Sequence, residues 1–358
     1  MERLIDIKPA VENKIRQLRA LASGFEKGQI FLTALELGVF STLRTPLSAE
    51  AFAGKLGAKV TLAGRFLDVL AGMNLLEKTG DQYCTAPDMA PFLVESSPFF
   101  AHYLMWDAKF RDVWIRFKEI LLNEQASPTE VHERGSRFDA RRIDWMANES
   151  LLGRLQGVVG RVKQLPEFAH AGKLIDLGGG HGLFGIAFAQ ENPHLDVVVF
   201  DRPEVTPLTQ GYIERYGMSG RVRTLSGDYT TDALEDGFDI VFEACSFCGD
   251  DQDSRSYYRR ICGMLKDNGL FVRLTFTLDD NRTGPLLSVV WDLRDHLSGH
   301  EKLPMRTNSE LFRLLSEGGL SCEQVIDMSG CCSIPMRLIV SRKAAVHRQS
   351  SSGPHPAK

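Results

Sequence analysis

The amino-acid sequence predicts an α/β protein in which a mostly parallel, seven-stranded sheet follows a mostly helical domain. Two observations carry this prediction. From Ala171 onward, seven strand-like segments follow one another; the first five alternate with helical stretches, and the last two read as a hairpin. Before Ala171, apolar residues recur at helical spacing, and one short hairpin pattern interrupts them.

The first hundred or so residues read as three helices and a hairpin. Residues 28–43 have helical apolar spacing, and a second, short helix is capped by Ser48 and ends at Gly57. Residues 60–78 form a third helix that runs into a strand, and Gly80 marks the turn of the hairpin. Helix, helix, helix and hairpin is the order of a winged helix.

A winged helix often binds DNA, but this one shows little sign of it. Up to the strand that follows it, the third helix and its start carry only Lys59 and Arg65 as basic residues. A packing or dimerisation role is therefore predicted, and a DNA-binding regulator is kept as an alternative.

Residues 100–165 read as further helices rich in aromatic side chains. These side chains are predicted to serve the core and the dimer contact, or to line a pocket. The aromatic residues of this region are Phe99, Phe100, Tyr103, Trp106, Phe110, Trp114, Phe117 and Trp145.

The composition indicates a globular protein of a reducing compartment. Of 358 residues, 43% are hydrophobic and 25% are charged, and the formal net charge of -4 offers no basic surplus for nucleic acid. No apolar run reaches the roughly 18 residues of a membrane span. Seven cysteines, an odd number in a long chain, fit a reducing cytoplasm better than a disulfide framework. The prediction is a cytoplasmic protein without nucleic-acid or membrane partners.

A glycine-rich loop follows the first strand of the predicted sheet. Gly178, Gly180 and Gly182 allow tight turns and a close approach of the backbone to a ligand. The loop follows an acid, Asp176, at the end of the strand. Since that carboxylate would repel a pyrophosphate, the loop suits a cationic amino-acid group better than a dinucleotide.

The next two strands also end in acids. Asp201 ends the second strand, where a carboxylate can accept both hydroxyls of a ribose. Gly227, Asp228 and Tyr229 end the third, where an acid and an aromatic ring can hold an amino-substituted base. A lone aspartate is more often a helix cap or a turn former. Together, however, these features outline S-adenosylmethionine.

The chain resembles the class I S-adenosylmethionine-dependent methyltransferases. More narrowly, it resembles the small-molecule O-methyltransferases with an N-terminal winged-helix dimerisation domain, a type that includes plant phenolic, hydroxyindole and bacterial antibiotic-pathway enzymes. The matching segments, in family order, are QIFLTALELGVFSTL, LLEKTGDQYCTAP, DLGGGHG, FDRPEV, GDY, DDNRTGPLL and RTNSELFRLLSEGGL. The resemblance implies a homodimer, a small-molecule substrate, a Rossmann-like domain that binds the cofactor, and a contact from Arg202 in FDRPEV.

The resemblance also sets the predicted domain boundaries. A winged-helix dimerisation domain spans 1–110, linking helices that roof the substrate pocket span 111–170, and the methyltransferase domain spans 171–343. The polar tail, 344–358, is predicted to be disordered. Trp145 and Met146 are predicted on the roof of the pocket.

Two cysteines follow the fourth strand in the segment FDIVFEACSFCGDD. Such a pair can be a redox couple, half of a zinc site or two small apolar residues. Aligned on the family, Cys248 occupies the place of the histidine that acts as general base, and Cys245 that of a residue contacting the cofactor. The family base is therefore missing. Cys248, His296, His300 and Asp250 are the candidates to replace it.

Charged residues enter a helix that forms an apolar pocket wall in relatives. Arg294 and Asp295 stand where relatives have neutral residues, next to Trp291 and His296. This indicates a polar or charged substrate, or else one solvated, salt-bridged helix face. Both interpretations stay open.

Another pair of thiols, Cys331 and Cys332, lies in the turn between the last two strands. In the fold that the resemblance implies, that turn is at the cofactor end of the sheet, which allows the pair to approach Cys245 and Cys248. Because the spacing of a zinc site is absent, no metal site is predicted.

The predicted function is methyl transfer from S-adenosylmethionine to a small molecule. An oxygen is the expected acceptor, with carbon and sulfur as alternatives because the base is replaced. A second hypothesis keeps the cofactor for other chemistry, such as decarboxylation or hydroxylation. The third is the winged-helix regulator with a ligand-sensing domain.

Overall fold

The computed structural model describes residues 3–7, 13–123, 139–299 and 305–344. The chain divides into two compact units, Met1–Arg111 and Asp112–Lys358. The finer division, with separate linking helices at 111–170, stays a prediction. The predicted tail lies almost wholly outside the described residues. No helix within the described ranges has the length and apolar content that a membrane span requires.

The first unit contains helices and a small antiparallel sheet with strand order β1-β3-β2. Its helices are α1 (Ile15–Glu36), α2 (Val39–Thr42), α3 (Ala49–Leu56), α4 (Val60–Gly72), α5 (Ala90–Leu93) and α6 (Tyr103–Ala108), after a 3-10 turn at Leu4–Asp6. Its strands are β1 (Leu47–Ser48), β2 (Leu76–Thr79) and β3 (Gln82–Thr85).

The predicted caps and turn of this unit are confirmed. The Ser48 hydroxyl accepts a hydrogen bond from the Ala51 N–H, and Gly57 ends α3 in the left-handed conformation. Residues 28–43 do not form one helix, because Gly38 adopts a φ of 61° and separates α1 from α2. The hairpin of β2 and β3 turns at Gly80.

The second unit is built on a seven-stranded sheet with the order β6-β5-β4-β7-β8-β10-β9. β10 runs antiparallel to both of its neighbours, β8 and β9, and the other six strands all run in the same direction. The strands are β4 (Lys173–Leu177), β5 (Asp196–Asp201), β6 (Val222–Ser226), β7 (Phe238–Ala244), β8 (Leu265–Thr275), β9 (Leu320–Asp327) and β10 (Arg337–Lys343). The predicted α/β class with its seven-stranded sheet is confirmed.

Helices precede the sheet and cover both of its faces. Two separate apolar clusters pack against the sheet, which places a core on each side of it. The helices are α7 (Arg111–Ile115), α8 (Phe117–Leu122), α9 (Ala140–Glu149), α10 (Leu155–Val162), α11 (Leu183–Glu191), α12 (Thr206–Arg215), α13 (Asp251–Met264), α14 (Leu286–Leu297) and α15 (Asn308–Glu317). A π-helical segment, Ser150–Arg154, joins α9 to α10, and a 3-10 turn lies at Phe168–His170.

One predicted helix is absent. The connection between β6 and β7, residues 227–237, contains turns and no helix, so the first five strands do not all alternate with helices. The Asp228 side chain accepts the Thr230 N–H, and the Asp232 side chain accepts the Asp228 N–H. These local bonds satisfy backbone donors in a non-helical conformation and so compete with a helix.

Candidate cofactor and methyl-transfer site

The glycine loop after β4 is held in a conformation that requires glycine. Gly178, Gly180 and Gly182 have φ angles of 64°, 54° and 72°. A Cβ atom on Gly178 would lie 2.3 Å from the Cβ of Ser246, which belongs to the loop after β7. At the carboxyl end of the sheet, the backbone of the glycine loop therefore packs against a side chain of the loop after β7.

The carboxylate of Asp201 is bonded to the glycine loop. One of its oxygens accepts the Gly180 N–H at 2.8 Å, and the other accepts the Arg202 N–H at 2.7 Å. Burial raises the pKa of Asp201, and the two N–H donors oppose that rise. Each oxygen uses one acceptor position, so the carboxylate keeps capacity for two hydroxyl donors.

The end of β6 closes the other side of this region. The Gly227 N–H donates to the Asp201 carbonyl at 3.0 Å. The Tyr229 hydroxyl donates to Ser246 at 3.3 Å, and the Tyr229 ring lies 3.3 Å from the position of a Cβ on Gly178. The Asp228 carboxylate is exposed, and its bonds to Thr230 lower its pKa. Three strand ends thus converge.

Asp176 is buried under the glycine loop and is only 1% exposed. Its carboxylate faces the loop and the start of α11, 2.8 Å from the position of a Cβ on Gly179. Burial raises its pKa to about 7, with a contribution from the charges of Asp201 and Glu243. The predicted contact between Asp176 and a cofactor amino group stays a prediction.

A buried ion pair that the sequence reading missed supports the loop after β7. Glu243 on β7 lies directly opposite Arg273 on β8, with 2.8 Å between Oε2 and Nε. The other Glu243 oxygen accepts the N–H groups of Ser246, at 2.5 Å, and Phe247, at 3.1 Å. Arg273 donates to the Phe247 carbonyl at 3.0 Å and to the Tyr258 hydroxyl.

The loop after β7 presents its two cysteines differently. Cys245 has a φ of 54°, and its thiol donates to the Leu274 carbonyl at 3.4 Å. The residue keeps exposed surface, and desolvation by the neighbouring protein raises the pKa of its thiol to about 12. Cys248 is exposed.

A cavity of about 210 Å³ opens beside Cys248. Asp295 reaches it from α14, and Arg273 forms part of its wall from β8. The complete set of lining residues is Phe247, Cys248, Gly249, Ser254, Tyr258, Arg273, Thr275, Phe276, Asp295, Met305, Arg306, Leu311 and Leu314.

The other predicted residues of α14 do not line this cavity. Arg294 stacks over the Trp291 ring, 5.3 Å from its centroid, and pairs with Asp295 at 3.3 Å. His296 is exposed, and its Nδ1 lies 2.7 Å from the Asp292 carbonyl of its own helix. His300 lies outside the described residues.

Asp250, another candidate base, serves as a helix cap. It accepts the N–H groups of Gln252 and Asp253 at the start of α13, at 2.8 and 2.9 Å.

Helix α9, which carries the predicted roof residues Trp145 and Met146, approaches the glycine loop. Met146 on α9 lies 3.8 Å from the position of a Cβ on Gly180. Trp145, its neighbour, is half-buried. The following π-helical segment contains Leu152 and Gly153 in non-helical conformations. Such bulges in helices occur frequently at functional sites.

A histidine inside the glycine loop connects it to the roof. The Leu183 N–H donates to His181 Nδ1 at 3.0 Å, so the proton resides on Nε2, 3.1 Å from the Ser150 hydroxyl. Ser150 in turn donates to the Met146 carbonyl and accepts from Arg154. Burial lowers the pKa of His181 to about 3, which keeps the ring neutral. The sequence reading did not assign this network.

Comparison with known proteins identifies the chain. Residues 20–96 match the family model of the O-methyltransferase dimerisation domain. Residues 125–321, more than half of the chain, match that of the O-methyltransferase domain. The chain belongs to the O-methyltransferase family. The resemblance drawn from the sequence is confirmed, as are the methyltransferase class and its cofactor, S-adenosylmethionine.

Similar proteins act on varied acceptors. The N,N-dimethyltransferase OxyT of Streptomyces rimosus is 30% identical over 256 residues, 63% of this chain and 68% of that protein. The 3-hydroxy-5-methyl-1-naphthoate 3-O-methyltransferase of Streptomyces sahachiroi is 26% identical over 281 residues, 75% and 79% of the two chains. Human N-acetylserotonin methyltransferase in complex with SAM has the same fold, with a TM-score of 0.72 at 21% identity, and the match covers 95% and 100% of the two chains.

The last pair of cysteines in this O-methyltransferase packs against α10 and the π-helical segment before it. A Cβ on Gly157 would lie 2.2 Å from the Cys331 sulfur, and one on Gly153 would lie 2.5 Å from the Cys331 carbonyl oxygen. Burial raises the pKa of Cys332 to about 12, and the neighbouring Cys331 thiol adds to this rise. Among the residues that the structure describes, no cluster of three or more His, Cys, Asp or Glu side chains is arranged to hold a metal.

Proposed function

We propose that the enzyme transfers a methyl group from S-adenosylmethionine to an oxygen of a small molecule, beside the loop that carries Cys248. The supporting observation is the convergence of the glycine loop, Asp201 and Tyr229 at one end of the sheet, with an open cavity next to that loop.

The residues present fit this cofactor. The left-handed glycines and the absence of side chains from Gly178 to Gly180 allow the backbone of the loop to approach the amino-acid part closely. Asp201 keeps acceptor positions for the ribose hydroxyls, and Asp228 with Tyr229 holds the adenine. Arg202 flanks the ribose acid. When bound, S-adenosylmethionine supplies an electrophilic methyl group.

The side chains around the site act mainly by positioning the acceptor. Cys245 offers no base, since burial holds its thiol protonated. The Glu243–Arg273 pair fixes the loop after β7, and Met146 on the roof limits access to Gly180. An arrangement that holds an acceptor in line with the methyl group can supply most of the rate. Carbon and sulfur acceptors remain alternatives for the same reason.

We also propose that the enzyme is a homodimer formed by its N-terminal unit. The match to a dimerisation domain at residues 20–96 supports this.

The test is product analysis. The purified enzyme is incubated with S-adenosylmethionine and a panel of phenols, aromatic acids, thiols and activated carbon acids. We expect S-adenosylhomocysteine and an O-methylated product in equal amounts. Conversion of an acceptor without formation of S-adenosylhomocysteine would contradict methyl transfer and favour the non-methyl chemistry instead.

A further inference from the structure

The backbone of Gly180 in the glycine loop is held by β5 and α12, without help from α9. Its N–H donates to the Asp201 carboxylate at 2.8 Å, and its carbonyl accepts the Thr209 hydroxyl at 2.5 Å. Thr209 is fully buried on α12. The glycine loop can therefore keep its conformation if α9 moves.

Two side-chain hydrogen bonds fasten α9 to this region. The Tyr212 hydroxyl of α12 donates to the Asp144 carboxylate of α9 at 2.6 Å. At the end of α9, the His181 Nε2–H donates to the Ser150 hydroxyl at 3.1 Å. Burial, and then the bond to Asp144, raise the pKa of Tyr212, which keeps its hydroxyl protonated as a donor. Both bonds hold α9 against the elements that form the cofactor site.

The helix is interrupted directly after Ser150. Leu152 has a ψ of 28° and Gly153 a φ of 114°, and neither value is helical. A non-helical glycine between two helices can absorb the dihedral changes of a hinge. On the far side of this junction α10 is anchored in the core, where Val158 and Val162 are fully buried. A rotation at Gly153 would therefore displace α9 and leave α10 in place.

The packing of α9 itself is slight. Of its 10 residues, Ile143 and Ala147 are buried, and the second contributes a single methyl group. A hydrogen bond typically shifts an equilibrium several-fold. Against so little apolar burial, the two side-chain bonds decide whether α9 stays in place.

We propose that α9 is a hinged lid over the amino-acid end of the bound cofactor, held shut by the Asp144–Tyr212 and Ser150–His181 bonds. The lid opens at Gly153 to admit S-adenosylmethionine and to release S-adenosylhomocysteine. Met146, 3.8 Å from the position of a Cβ on Gly180, is the part of the lid that faces the loop. This inference rests on the cofactor site of the proposed function and adds the route by which the cofactor is exchanged.

A lid has a kinetic signature that a contact residue lacks. If the cofactor enters and leaves only when the lid is open, a weaker closure raises the association and dissociation rate constants by the same factor, and the affinity stays unchanged. The loss of a group that contacts the bound cofactor instead raises mainly the dissociation rate constant and weakens the affinity.

The test measures S-adenosylhomocysteine binding to the immobilised full-length protein by surface plasmon resonance. Tyr212→Phe keeps the ring and removes one bond to α9, and Ser150→Ala removes the other. We expect each variant to raise both rate constants about three- to tenfold and to change Kd less than about twofold. The double variant should exceed either single variant.

Two matched substitutions provide the controls. Ser256, like Ser150, donates to the carbonyl four residues earlier, at 3.0 Å, but lies on α13. Tyr216 is an exposed tyrosine at the end of α12. Ser256→Ala and Tyr216→Phe should change either rate constant less than about twofold.

Unchanged rates in Tyr212→Phe and Ser150→Ala would overturn the lid, as would faster dissociation with a proportional loss of affinity. Tyr212→Phe, at the more exposed bond, decides the matter if Ser150→Ala does not fold. Either result, with normal affinity in the wild type, leaves the proposed function standing. A wild-type protein that binds no S-adenosylhomocysteine would refute the proposed cofactor site, and the lid with it.

Discussion

At the scale of single residues, the resemblance predicts that Cys248 stands at the position of the family base. We expect Cys248→Ala to reduce turnover less than about tenfold, because the proposed transfer depends mainly on holding the acceptor in line with the methyl group. Cys248→His should crowd the cavity and bring no gain. Turnover on the identified acceptor checks both, with Cys322→Ala on β9 as control. A loss beyond about a hundredfold in Cys248→Ala, with cofactor binding intact, would show that the thiol takes part in the chemistry.

Two buried groups at the glycine loop, His181 and Asp176, should make the free energy of unfolding depend on pH in opposite directions. The pKa of His181 is lowered to about 3, so the unfolded chain binds a proton that the folded chain does not, and stability falls as the pH falls below about 6.5. The pKa of Asp176 is raised to about 7, so the folded chain holds the proton, and stability falls as the pH rises from about 4 to 7.

Replacing one of the two groups should leave the pH dependence of stability that the other group causes. Relative to wild type, Asp176→Asn should gain stability as the pH rises from 4 to 7, by at most about 1.4 kcal/mol per pH unit. Relative to wild type, His181→Asn should gain stability as the pH falls from 6 to 4. Urea unfolding of the cofactor-free proteins at several pH values measures this, and parallel curves for all three proteins would contradict it.

At the scale of elements, α10 and the turn before the last strand make a close contact at a glycine. A Cβ on Gly157 of α10 would lie 2.8 Å from the Cys331 Cβ, whereas one on Gly160 of the same helix would meet nothing within 4 Å. We expect Gly157→Ala to destabilise the protein by about 1–3 kcal/mol. Gly160→Ala should stabilise it by up to about 1 kcal/mol. Chemical denaturation checks the pair, and equal effects would show that the contact carries no strain.

The elements themselves were largely predictable, and the reason is periodicity. Alternating and helical apolar spacing, the Ser48 cap and the glycine loop each follow from local rules. The Glu243–Arg273 pair was not predicted, because it depends on the register of β7 and β8. The available signal was one charged residue in the apolar stretch of each strand, Glu243 in IVFEA and Arg273 in LFVRLT. The His181–Ser150 contact joins residues 31 positions apart through a π-helical segment that no local pattern announces.

At the scale of the whole molecule, α1 offers an exposed apolar face. Leu18, Leu21 and Phe25 are 58%, 73% and 66% exposed. Large exposed apolar surfaces mark association sites, and this face overlaps the matched dimerisation domain. We expect a dimer at micromolar concentration and a monomer for the double variant Leu21→Asp with Phe25→Asp.

Sedimentation velocity measures this association. Lys27→Asp introduces the same charge on the same helix at an exposed polar position and should leave the dimer intact. A monomeric wild-type protein, or a dimer that survives the double substitution, would place the interface elsewhere or remove it.

The central claim is that the three strand ends form the S-adenosylmethionine site, and Asp201 tests it most directly. Asp196, exposed at the opposite end of the same strand, provides the control substitution. Calorimetric titration of S-adenosylmethionine should show about ten- to hundredfold weaker binding for Asp201→Ala, because a carboxylate loses its bonds to the ribose hydroxyls, and unchanged binding for Asp196→Ala. Equal affinity of Asp201→Ala and the wild type would contradict the account, as would a wild type that binds no S-adenosylmethionine.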